Sequence, residues 1–121
     1  MNEVEKLCEK AYDKLDSSKL LYENGKYSDS ASLAYYAMFL MAKALLLKKG
    51  FDATHDGLIH LFSLKYVHED SFKYRLYAYL SAAQSVREDA DYSAFDYINQ
   101  EIAEELISQA NEFLKESERF L

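Results

Sequence analysis

Arg87 is the residue whose surroundings could do chemistry. Leu76, Leu80 and Ala83 precede it at steps of four, three and four. On a helix that spacing puts a guanidinium in line with buried apolar positions. Glu88, Asp89 and Asp91 follow closely, and the run ends on Tyr92 where the helical pattern breaks. A half-buried arginine needs a partner. Asp91, four residues on, is spaced to supply one. Two readings stay open on these residues. Arg87 closes an internal pair with Asp91 or Glu88, or it stands at the rim of a groove and offers a charged fork to a phosphate.

Other candidates carry less. The histidines are His55, His60 and His68, and a step of five from His55 to His60 is a poor spacing for two ligands on one helix face. Asp56 and His60 are correctly spaced but make a single pair, and no Glu-x-x-His motif of the di-iron bundles occurs. No metal site and no cofactor are expected. Cys8 falls on an apolar stripe, where a thiol is buried and inert. Glu101, Glu104, Glu105, Glu112 and Glu116 read as the solvated face of the last helix.

The elements that must hold Arg87 are all helical. Val4, Leu7, Cys8, Ala11, Leu15 and Tyr22 form the first stripe, which stops at Asn24-Gly25; Gly25 is the expected left-handed cap. Ser28 or Asp29 is placed to cap the second helix. That helix is the most apolar, carrying Ala34, Tyr35, Met38, Met41, Leu45 and Leu46 to Lys48-Lys49-Gly50, and should be central. Tyr35 and Tyr36 point about 100° apart, so one can face the core while the other reaches a neighbouring helix or a second subunit. Thr54 or Asp56 starts a short third helix, Asp70 or Ser71 caps the fourth, and Asn99 caps the fifth. The expectation is one all-α domain over residues 1–121, an antiparallel up-and-down bundle of four long helices and one short one.

Composition agrees. The 121 residues include no proline and three glycines, so little interrupts a helix. The net charge of −7 repels nucleic acid and anionic membrane in general, so any RNA contact must use a local patch. Cys8 is alone, which rules out an intrachain disulfide. The charged N-terminus reads as no signal peptide, and the apolar run from Ala31 to Leu47 as too short for a bilayer. A cytoplasmic protein with no membrane partner is expected.

The chain resembles HEPN domains, small helical domains often encoded beside a minimal nucleotidyltransferase. The resemblance covers nearly the whole sequence. It rests on Leu21 to Ala31, on Ala34-Tyr35-Tyr36-Ala37-Met38-Phe39 followed by Ala42 to Leu46, on Thr54-His55, and on Arg87-Glu88-Asp89-Ala90-Asp91-Tyr92. The small stand-alone branch of the family is the better match. In active HEPN ribonucleases an arginine, four to six residues and a histidine meet at a dimer groove. The arginine stabilises phosphate charge, and the histidine moves the proton that lets the RNA 2′-hydroxyl attack.

Arg87 matches that arginine. Tyr92 stands where the histidine belongs, and a phenol, ordinarily ionising near about pH 10, is a poor base at neutral pH. What the resemblance implies is therefore an RNA- or nucleotide-associated protein, a toxin-like half of a nucleotidyltransferase pair, and at most a metal-independent endoribonuclease. Arg87 and Tyr92 are its candidate catalytic residues. Tyr36, His55 and Asp91 are its candidate binding residues. The alternative is a non-catalytic helical module for dimerisation or protein binding. A homodimer is expected in either case, because relatives pair through the arginine-bearing helices and Tyr36, Tyr74, Tyr77 and Tyr79 exceed one small core.

Overall fold

The computed structural model describes residues 2–94 and 97–121. Five α-helices follow one another: α1 Glu3–Glu23, α2 Tyr27–Lys48, α3 Leu58–Phe62, α4 Tyr74–Tyr92 and α5 Gln100–Ser117. A π-helical stretch, Ser63–His68, extends α3, and a 3-10 turn, Glu118–Phe120, closes the chain. No strand occurs among the described residues. The bundle is all-α, as the periodicity requires.

Two glycine turns set the topology of the first half. Gly25 has φ 74°, its N–H donates to Tyr22 O at 3.1 Å, and Lys26 N–H donates to Leu21 O at 2.9 Å. Gly50 repeats the arrangement with φ 91° and with Phe51 N–H donating to Leu46 O at 2.9 Å. Both are Schellman closures, which need a left-handed residue and favour glycine. The first leaves no room for a conventional start to α2. The helix begins at Tyr27 directly after Lys26, with no side-chain cap, so neither Ser28 nor Asp29 takes the expected place.

The tight hairpin lays α1 along α2. Buried Ser18 and Ser30 clasp the crossing: Ser18 Oγ donates to Ser30 O at 2.6 Å, and Ser30 Oγ to Ser18 O at 2.8 Å. α2 also packs against α4 and α5, which makes it the central helix. By length and composition it could cross a bilayer, so Ala31–Leu47 understated it, but most of it is buried inside the bundle. Leu45 and Leu46 have no exposed surface.

Two further starts differ from expectation. Residues 51–57 form an irregular connection and turn, and α3 begins at Leu58 behind Gly57, not at Thr54 or Asp56. Neither Asp70 nor Ser71 caps α4. Ser71 is left-handed at φ 62°, buried Phe72 drops into the core, and the helix starts at Tyr74. The amide just before the helix is served from α5 instead: Lys73 N–H donates to Glu116 Oε2 at 3.1 Å. Glu116 is therefore not on the solvated face; it is 5% exposed and also accepts from Arg119 at 2.8 Å. Asn2 and Asn99 cap as side chains should, accepting from Glu5 N–H at 2.9 Å and Ile102 N–H at 3.0 Å.

Candidate functional site

Arg87 sits in the second turn from the end of α4, facing α2. Its side chain is 18% exposed and that of Asp91 is 30% exposed. Nε lies 3.0 Å from Asp91 Oδ2 but its N–H is not aimed at that oxygen, so the contact is an ion pair without a directed hydrogen bond. Nη2 donates to the Tyr36 hydroxyl oxygen. The guanidinium carbon is 5.0 Å from the Tyr36 ring centroid and 5.7 Å from that of Tyr92. Both rings are placed for cation–π attraction.

Ser32, one turn before Tyr36 on α2, donates from Oγ to Asp91 Oδ1 at 3.1 Å. It thereby fixes the carboxylate that faces Arg87. Nothing in the sequence singled out Ser32; its only signal is that it lies four residues before Tyr36, on the same helix face. Burial works against the Arg87 charge, but Tyr36, Asp91 and Tyr92 outweigh it and raise the pKa above the ordinary guanidinium value. The group is a permanent cation.

The tyrosine pair divides as its geometry requires. Tyr35 is 1% exposed, and burial pushes its phenol up to about 12 although Arg87 pulls the other way. Tyr36 is half-buried with its ring 5.5 Å from that of Tyr35. Tyr92 is 76% exposed. Thus Arg87, Asp91, Tyr92 and Tyr36 form one cluster. His55 joins it less directly. Its ring stacks on Phe39 at 4.4 Å, and it lines a pocket of about 360 Å³ together with Tyr36, Lys10 and Lys14. No hydrogen bond, ion pair or ring contact joins His55 to Arg87 among the described residues; Tyr36 borders both.

Chemically, the cluster offers a fixed cation with one exposed aromatic edge. A guanidinium is the side chain whose planar fork matches a phosphate, and a fixed cation is suited to a developing negative charge. Among the described residues, no three of His, Cys, Asp and Glu converge as metal ligands would. Cys8 packs its sulfur 3.8 Å from that of Met41, and burial, then Glu5, raise its pKa, which disfavours the reactive thiolate.

A five-helix bundle centred on α2, with an arginine of α4 turned toward its tyrosines, defines a class of small helical domain. The HEPN domain profile matches residues 4–120, and the chain belongs to that family. It is 35% identical over 120 residues to the protein named "Putative toxin MJ0142" of Methanocaldococcus jannaschii, covering 98% of this chain and 82% of that protein. It is 36% identical over 113 residues to "Putative toxin MJ0605" of the same organism, covering 93% and 84%. A UPF0332 protein of Pyrococcus horikoshii, PH1297, is 49% identical over 85 residues, covering 69% of this chain and 59% of its own length. The crystal structure of TT1696 from Thermus thermophilus superposes with a TM-score of 0.83 over 100% of both chains at 21% identity, a likeness of fold alone.

Proposed function

We propose that this HEPN protein handles RNA or a nucleotide through a groove built around Arg87, as the toxin-like half of a pair with a nucleotidyltransferase. One observation carries the reading. A cation held by Tyr36 and Asp91, with Asp91 itself fixed by Ser32, borders the highly exposed Tyr92. A structural ion pair has no need of an exposed aromatic lip. The names of the two Methanocaldococcus relatives support the toxin-like part.

Arg87 would bind phosphate and stabilise charge developing on it. Tyr92 would contact the ligand. A metal-independent endoribonuclease step would also need a proton acceptor near the 2′-hydroxyl, and tyrosine is a weak one at neutral pH. The protein would work in the cytoplasm as a homodimer, and a nucleotidyltransferase gene beside its own would supply the partner.

The test is one variant read two ways. Purified protein is incubated with mixed RNA, and Arg87→Ala is compared for binding, cleavage and melting. Loss of the guanidinium should weaken RNA binding by about 1.5–3 kcal/mol, the scale of a hydrogen bond to a charged group. A destabilised Arg87→Ala whose parent binds no RNA or nucleotide would refute the proposal.

A second reading, a non-catalytic module for dimerisation or protein binding, draws on α4. Tyr74 is 68% exposed with its ring 5.8 Å from Tyr77, an aromatic surface outside the Arg87 cluster. Unimpaired self-association of a protein that binds no RNA would favour it.

A further inference from the structure

We infer that the pocket between α1, α2 and the α2–α3 connection holds one nucleotide of a single-stranded RNA, its phosphate between Lys10 and Lys14 and its base against His55. The inference rests on the RNA reading of the Arg87 groove and extends it to a neighbouring subsite.

The pocket's chemistry runs against the molecule's. The chain carries a net charge of −7, yet the ionisable residues lining this pocket are Lys10, Lys14, His55 and Tyr36, with no carboxylate. The lysines are four residues apart on α1, so they stand on one face of the helix. Neither is in an ion pair among the described residues; Glu9 and Asp13 line an adjoining hollow with Lys6 and Lys10. A local positive rim is what an acidic protein must build to accept a phosphate.

The floor is apolar, from Leu33, Phe39 and Leu40. Phe39 is 6% exposed and His55 is exposed, so His55 is the outer ring of their 4.4 Å stack and presents its open face. Cations beside a stacking platform are the features that bind single-stranded nucleic acid without reading its sequence. A volume of about 360 Å³ suits one nucleotide. Tyr36 joins the pocket to the guanidinium, since it lines the one and accepts a hydrogen bond from the other. The pocket and the Arg87 cluster are therefore neighbours that share Tyr36.

The experiment measures anisotropy of a fluorescein-labelled eight-nucleotide RNA, 2′-O-methylated so that it cannot be cut, across a salt series. Lys10→Gln/Lys14→Gln should weaken binding about tenfold or more and make the salt slope shallower by about 0.7, the share of the one phosphate the two lysines hold. His55→Ala should weaken binding about fivefold or more through lost stacking. Lys6→Gln/Lys19→Gln, which removes the same charge from the same helix, should change it less than twofold. Equal losses in the two lysine pairs would mean that only the overall field matters, and would overturn the pocket. So would unchanged binding in Lys10→Gln/Lys14→Gln when Arg87→Ala loses it, a result that leaves the Arg87 groove standing. The reverse pattern overturns the Arg87 reading and keeps the pocket. A wild-type protein that does not bind the RNA overturns both.

Discussion

Arg87 is held from three sides, and the magnitudes decide what it can be for. A fully buried ion pair broken on one side costs about 3–5 kcal/mol. Here the two side chains are 18% and 30% exposed, and Ser32 still serves Asp91 when the guanidinium is gone. The stability cost of Arg87→Ala should fall toward the value for a solvent-screened pair, about 1 kcal/mol or less. Urea denaturation checks it, and a loss of several kcal/mol would make Arg87 a structural residue first. Leu45 sets the contrasting scale. It has no exposed surface, so Leu45→Ala should cost about 2–5 kcal/mol in the same assay.

Between elements, the telling contact is Glu116. It reaches from α5 to the amide of Lys73, which no local side chain caps, and it is paired with Arg119. Burial works to raise its pKa, but the Arg119 and Lys73 contacts outweigh it, so the carboxyl is lowered from the ordinary value of 4.5. A lowered folded-state pKa means stability that is present above 4.5 and lost as pH falls through the folded value. Glu116→Gln should therefore unfold with a shallower dependence on pH below about 4.5 than wild type does. Identical acid profiles for the two proteins would show that the charge is idle. Glu116→Ala should cost about 1–3 kcal/mol by leaving a donor unmet.

For the whole molecule, three phenols set the alkaline limit: Tyr12, raised by burial and by Glu118, and two that lie deeper in the bundle. Burial pushes both Tyr35 and Tyr66 up to about 12, with Arg87 opposing at Tyr35 and Asp70 adding at Tyr66. Their contribution is complete below the ordinary value of 10.0 and drains away as pH rises toward 12. Thermal midpoints should fall across that window, and Tyr66→Phe should fall less steeply. Assembly is the second matter at this scale. Tyr36 is occupied by Arg87 and Tyr79 accepts a hydrogen bond from Arg75, which leaves Tyr74 as the large exposed aromatic of α4 outside the Arg87 cluster. Light scattering at high micromolar concentration should report twice the 14.0 kDa chain mass. A 14.0 kDa particle would end the homodimer proposal.

The sequence by itself determined the helices, their order and the centrality of α2, because helical periodicity and the left-handed demand at Gly25 and Gly50 are local. It put Arg87 in line with packed residues and Asp91 within reach, since i,i+4 neighbours are fixed by helix geometry, but left open whether Asp91, Glu88 or a ligand would meet the guanidinium. It also carried the HEPN resemblance. Tertiary structure decided the rest. Glu116 looked like one more solvated carboxylate until α4 was laid beside it with an uncapped amide. The starts of α2, α3 and α4 moved because chain closure and the burial of Leu58 and Phe72 outweighed the capping preferences of Ser28, Asp29, Thr54, Asp56, Asp70 and Ser71. Ser32, Lys10 and Lys14 were invisible as site residues for the same reason. Their meaning lies in which atoms face them across a helix interface, and that is set by packing between segments far apart in the chain.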